Sequence, residues 1–374
     1  MTLHPFERFL RASRFETIDH VPAVGAVTDF YLAPLLGLED TSALDLVHGA
    51  APPAVVEMLV RADVLFPGLI MMFIHNPRAA LHYPMLRQVD NRDARFRASP
   101  SGNKVGRLHG AEELAQITVP NPDTCPEHQA MVEAIAWINE QIPDDLKKRY
   151  GYGERVLRLE NPFDRLAINL GADWFTRLYT DPDFVHHAME IFTEASRIGG
   201  KHLEEVFGAP ALVILADDFP GMIRAEHFEE FVVPYYRQLF DSFPRALILL
   251  HNDTDTTHLL DLLPDCGIDL FHLGYEVDVK VAKEHLGQRV ALMGNLAPTD
   301  IMLRGSDEAF ERESRRIIEA GKEGGGLVFS TGGEVNPDTA PDRLRLLQEY
   351  ARRYGRYGPG EEGEKASASS PMAC

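Results

Sequence analysis

The stretch LLHNDTDTTHLLDLLP, residues 249–264, sets one His and two Asp directly against an apolar run. His251 and Asp253 are two residues apart, so on an extended strand leaving a core their side chains point the same way. An imidazole beside a carboxylate can bind a divalent metal or pass a proton to a reacting oxygen. The same juxtaposition recurs where other apolar runs end. Glu160 and Asn161 follow one run, Asp217 and Asp218 another, and Tyr275 and Glu276 a third. Asn295 closes a fourth, and Ser330 through Glu334 close the last. Each group has a plainer reading: Asp253 or Asp255 can cap a helix starting near Thr256, and a lone strand-end His usually satisfies a local hydrogen bond. Their recurrence argues for a shared rim.

The elements that would build such a rim are short buried strands at 155–160, 211–218, 245–253, 268–274, 289–295 and 326–333, rich in Val, Ile and Leu and bounded by turn residues. Helix-length segments, including 183–207, 225–243 and 307–321, separate them. Further strands fit at 20–27 and 62–68, making eight. Such βα units allow a closed barrel or an open doubly wound sheet, and eight of them favour the (βα)8 barrel, whose catalytic residues come from the C-terminal ends of the strands. The domain is expected to span 1–357, with 70–150 as an irregular insertion, 83–114 within it as a lid, and 358–374 as a disordered tail. Met71, Met72 and Phe73 read as core. His75 and His82 read as surface residues, and Lys280, Lys283 and His285 as a solvated helix face. GKEGGG (321–326) lacks phosphate-loop order and reads as a turn.

With 37 basic and 57 acidic residues, the formal charge of −20 argues against nucleic-acid or anionic-membrane partners. Cys125, Cys266 and Cys374 form no CxxC pair, so neither a disulfide framework nor a thiolate cage is expected. The first fifteen residues lack a signal-peptide apolar core, and no run is long enough to span a membrane, so a cytoplasmic protein is expected.

Several stretches resemble the uroporphyrinogen decarboxylase superfamily: PFERFLRASRFETIDHVP, NPFDRLAINLGADWFTRLYTDPDFVHHAM, ADDFPGMIRAEHFEEFVVPYYRQLFD, LLHNDTDTTHLLDLLPDCGIDLFHLGYEVDV, GQRVALMGNLAPTDIMLRGS and GGGLVFSTGGEVNPDTAPDRL. The likeness covers the chain to about Tyr354, apart from much of 66–110. It implies a (βα)8 barrel and one of two chemistries. Uroporphyrinogen decarboxylases need no cofactor and grip a polycarboxylated tetrapyrrole partly through an N-terminal Arg-Gln-Ala-Gly-Arg run. Here HVPAVGAVTDFYLAP stands in that place, without arginine. The other branch moves methyl groups between a small molecule and the cobalt of cobalamin on a separate corrinoid protein. Its thiol-methylating members bind zinc through His-x-Cys and a second Cys after the last strand. This sequence keeps His251, but Asp253 and Gly333 replace the two sulfurs, with Glu334 next in line.

The resemblance therefore implies an O-demethylating methyltransferase acting on a methyl ether. His251, Asp253 and Glu334 would bind Zn²⁺ or act as the acid. Glu160, Asp217, Asp218, Tyr275, Glu276 and Asn295 would line the substrate site. A cofactor-free decarboxylase of a small acid and a non-catalytic ligand-binding barrel are the alternatives.

Overall fold

The computed structural model describes residues 3–38, 52–74, 81–89, 107–153 and 155–358. Among the described residues there are eight strands: β1 (Val24–Ala26), β2 (Ile70–Met72), β3 (Val156–Arg158), β4 (Leu212–Ala216), β5 (Leu247–Asn252), β6 (Leu270–Leu273), β7 (Ala291–Leu296) and β8 (Leu327–Thr331). β3 through β8 form a parallel sheet in chain order, and β1 pairs in parallel with β2. The seam from β8 to β1 is made by a parallel bridge between Ala23 and Phe329. It is reinforced where Phe329 N donates to Pro22 O and Val335 N to Ala26 O. No ladder joins β2 to β3 among the described residues. There the buried Glu160 carboxylate accepts from the backbone N–H groups of Leu81 and His82, tying the two edges together. The result is the expected (βα)8 barrel.

The strands read as continuous apolar runs because both faces are covered, one by the barrel interior and one by helices. The helices show the complementary pattern. Asp307–Lys322 buries Phe310, Ser314, Ile317, Ile318 and Gly321 on one stripe, and the Ser306 hydroxyl caps it by accepting from Ala309 N.

Several expectations need correction. Residues 62–68 form no strand: Pro52–Leu65 is a helix burying Val55, Met58, Leu59 and Ala62, with Val64 exposed, and the strand comes later as β2. The apolar Val64-Leu65-Phe66 run had obscured the helical period. The 70–150 region is not irregular throughout, since it holds β2 and the helices Pro126–Gln141 and Asp144–Tyr150. His82 is fully buried and its Nε2 donates to Phe192 O. Lys283 leaves its supposed solvated face to donate to Gly325 O at 2.6 Å, and burial lowers its pKa to about 8. His75, most of the supposed lid, Cys374 and the tail lie outside the described residues. Cys125 and Cys266 are buried and unbridged. Among the described residues, no helix is long and apolar enough to cross a membrane.

GKEGGG is a turn, and its reason for glycine is visible. Gly324, Gly325 and Gly326 have φ of 72°, 77° and 74°, three consecutive left-handed residues leading into β8. A Cβ on Gly326 would stand 2.1 Å from the Phe15 ring. Gly326→Ala should therefore cost about 2–4 kcal/mol in urea denaturation, from left-handed strain plus overpacking. A variant as stable as the parent would refute this account of the turn.

Candidate active site at the barrel mouth

β5 carries Leu249 and Leu250 in the core and delivers His251 at its end. Register places His251 beside His272 on β6. The two rings meet through their Nδ1 atoms at 2.8 Å, while His272 Nε2 lies 2.8 Å from Thr331 O on β8. A carbonyl only accepts, so His272 Nε2 carries the proton. Burial lowers the His272 pKa to about 4, keeping the ring neutral, and its Nδ1 is then an acceptor. His251 must donate from its own Nδ1, which leaves the lone pair on Nε2. Burial, then the neighbouring His272 and Arg158, hold His251 well below the usual histidine range. The outcome is a neutral imidazole of fixed tautomer with its free nitrogen on the side of Asp218, 3.7 Å from that carboxylate.

Asp218, at the end of β4, accepts from Asp253 N at 3.1 Å. Burial, then Asp253 and Asp164, raise its pKa to about 7. Burial and Asp164 also raise Asp253. Asp218, His251 and Asp253 each offer one ligand atom, and all three atoms lie within 4.8 Å of one another. One imidazole nitrogen and two carboxylates form the minimal N/O set for Zn²⁺, and a cation there would favour the ionised form of two acids that burial holds up. The residues thus fit a divalent metal. The expected set changes in one member: Asp218 joins His251 and Asp253, while Glu334 stands apart. Glu334 accepts from the Thr28 hydroxyl, and burial raises it, with Arg158 opposing and Asp29 and Asp253 adding. The preceding residue closes the same corner, since a Cβ on Gly333 would lie 3.5 Å from Asp253 Oδ2.

Asp253 does not cap the following turn. Asp255 does, accepting from the Thr257 amide and hydroxyl. Three residues expected to line the site are instead committed to the backbone. Glu160 clamps residues 81–82, as described above. Asp217 accepts from Phe163 N and Asp164 N, where the helix Pro162–Leu170 begins. The adjacent Asp218 has already turned into helical backbone, with φ of −93° and ψ of −37°, and stays partly exposed while Asp217 is buried. Asn295 donates to Gly274 O and Val277 O. Tyr275 and Glu276 lie exposed on the rim.

Sequence reasoning missed three contributors. His272 was hidden in the apolar run of β6. Phe73, taken as core, has φ of 77° and sits 6.0 Å from the His272 ring and 5.7 Å from that of His251. Arg158 closes β3, and the run 155–160 also carries Arg155 and Glu160, so nothing in the sequence singled it out.

Two predictions follow from this geometry. His272→Ala frees the His251 ring, so Zn²⁺ affinity measured by competition with a chromophoric chelator should fall about 10–100-fold with the fold retained. Unchanged affinity would remove the relay from the site. For metal-free protein, Asp218 ionises near pH 4 when unfolded and near 7 when folded. Across that window the folded state holds the extra proton, so stability falls as pH rises. Asp218→Asn should raise the melting temperature above the parent at pH 8, with the gap closing toward pH 5. A gap independent of pH would contradict the assignment.

A family model described as uroporphyrinogen decarboxylase (URO-D) matches residues 168–354, half of the chain. The uroporphyrinogen decarboxylase of Pelodictyon phaeoclathratiforme is 30% identical over 252 residues, covering 59% of this chain and 70% of that protein. That of Chlorobium limicola is 26% identical with the same coverage. A methyltransferase from Methanosarcina mazei superposes with a TM-score of 0.71 at 18% identity, covering 94% of this chain and 99% of the other, a likeness of fold. This chain belongs to the uroporphyrinogen decarboxylase family.

Proposed function

We propose that this protein is a methyltransferase that demethylates a methyl ether, passing the methyl group to the cobalt of a corrinoid carried by a separate protein. One observation carries the reading: the free nitrogen of His251 lies on the side of two carboxylates at the mouth of the barrel. Sulfur ligands suit a thiolate acceptor, whereas a harder N/O set suits an ether oxygen. The fold shared with the Methanosarcina mazei methyltransferase supports the same reading.

Asp218, His251 and Asp253 would hold Zn²⁺, which when bound supplies Lewis acidity toward the ether oxygen. The carbon–oxygen bond breaks and the oxygen keeps its electron pair, while the methyl group would pass as a cation equivalent to the co-substrate corrinoid, whose cob(I) state supplies the electron pair of the new bond. That oxygen then needs a proton. Glu334 lies outside the ligand set, and burial favours its protonated form, so it is the donor. Its contact with the Thr28 hydroxyl fixes the carboxyl group while the other oxygen can carry the proton. Phe73 excludes water from the flank of the two histidines.

The named relatives favour a second reading, cofactor-free decarboxylation. The mouth argues against a polycarboxylate substrate. Among the described residues, Asp29, Asp218, Asp253 and Glu334 act electrostatically on one another or on Arg158, and Arg165 is the further cation beside Arg158. A multiply charged anion would meet more repulsion than attraction there.

The test is to measure metal content and follow the cob(I)alamin spectrum with a panel of methoxylated aromatics. Methylcobalamin should form with at least one donor and should cease after metal removal. Glu334→Gln should lower turnover about 100-fold while leaving donor binding unchanged. In the parent, activity should fall as pH rises past a value above the ordinary glutamate range. No methylcobalamin with any donor, together with CO₂ release from a small acid, would replace this reading with the decarboxylase.

A further inference from the structure

A hollow of about 330 Å³ lies at the end of the barrel opposite the mouth. Its walls come from the residues just before β1 and β2 and from the helices Pro5–Ser13 and Pro341–Tyr354. In a chain of formal charge −20, this hollow is cationic. The charged residues lining it are Arg8, Arg352 and Asp19. Arg8 is buried and donates from Nε and Nη2 to the Asp19 carboxylate at 2.6 and 3.0 Å. Burial opposes the Asp19 charge, but the Arg8 hydrogen bond brings its pKa down to about 2. His20 Nδ1 lies 3.1 Å from the same carboxylate, and burial, then Arg8, hold that ring below the usual histidine range. Asp19 is thus fully engaged by its neighbours. Among the described residues, nothing bonds Arg8 Nη1, and the Arg352 side chain makes neither a hydrogen bond nor an ion pair. One positive charge is in excess. Gly68 has φ of 85°, and a Cβ there would stand 3.1 Å from Gln348 Nε2 and 3.3 Å from Arg352 Nη2. The bare backbone at Gly68 lets both side chains lie against the wall.

We infer that this cavity is a second binding site, for a small organic monocarboxylate, separate from the mouth of the barrel. The carboxylate oxygens meet Arg352 and the spare nitrogen of Arg8, each a charge-assisted donor. A short hydrocarbon body covers the apolar floor formed by Leu3, Pro5, Pro22 and Ala351. The volume is at the small end of ligand pockets, which run roughly 300–1,000 Å³. One excess positive charge matches one negative charge, so a dianion is disfavoured, and an inorganic ion leaves the apolar floor bare. The position gives occupancy a structural consequence. Pro22 O accepts from Phe329 N, and Ala23 forms the bridge to Phe329. Both residues line the cavity, so an occupant braces the seam where β8 meets β1 and stabilises the closed barrel.

Binding here is independent of the reaction at the mouth and is measured on the metal-free protein. Isothermal titration and thermal melts compare pentanoate with pentanamide, which has the same shape without the charge, and with glutarate and inorganic phosphate. Pentanoate should bind about fivefold or more tightly than each of the others and should raise the melting temperature. Arg352→Gln should weaken pentanoate about fivefold or more and leave the ligand-free melting temperature unchanged, since this side chain is exposed and has no partner to lose. In NMR spectra, pentanoate should shift the ring resonances of His20 and leave those of His272 in place. No binding of pentanoate, equal affinity for pentanamide, or undiminished affinity in Arg352→Gln would overturn the site. A response at His272 in place of His20 would move the ligand to the mouth and overturn it equally. Tighter binding of glutarate or phosphate would overturn the ligand class.

Discussion

The hydrogen-bonded chain from Thr331 O through His272 to His251 is the constraint on which the mouth of this barrel depends. It crosses three strands, β8, β6 and β5, and each link determines the proton position of the next. The carbonyl can only accept, so one proton is fixed on His272, and that in turn fixes one on His251. The free nitrogen of His251 is therefore set by a backbone carbonyl three strands away in the sheet. A lone imidazole at a strand end would share its two tautomers with solvent. Here the neutral form and its orientation are both imposed before any ligand arrives.

Electrostatics explains why such a fixed nitrogen is useful here. Asp218, Asp253, Glu334 and Asp29 gather near one opening, and burial raises the first three above ordinary acids. Concentrated negative charge in a partly enclosed space favours cations and proton uptake. The mouth holds two of those acids close to His251 and keeps Glu334 apart, beside Thr28. Arg158 offsets part of the charge.

Much of the polarity at the strand ends serves the scaffold. Asp217 secures the start of a helix, Glu160 bridges the gap between β2 and β3, and Asn295 holds the loop after β6. Asn252 does the same for the β4 loop, donating to Asp217 O and Asp218 O. Loops over a barrel mouth leave backbone groups without sheet partners, and buried side chains must satisfy them. A rim with several polar clusters is therefore part active surface and part framework.

The sequence by itself determined the barrel, because continuous Val, Ile and Leu runs alternating with amphipathic helices have few other ways to bury both strand faces. It also marked His251 and Asp253 as a pair, since alternation along a strand is a local property, and Glu334 as a companion through motif resemblance. It misjudged 62–68, where a short apolar run fits a strand as readily as the end of a helix. Which acids face the opening was decided only by tertiary structure: Asp217 and Asp218 are the same residue type at adjacent positions, and their opposite roles depend on which helix and loop lie against each. His272, Phe73 and Arg158 were invisible as site residues for the same reason. An apolar strand can conceal a functional side chain until neighbouring strands fix its register and show what it faces.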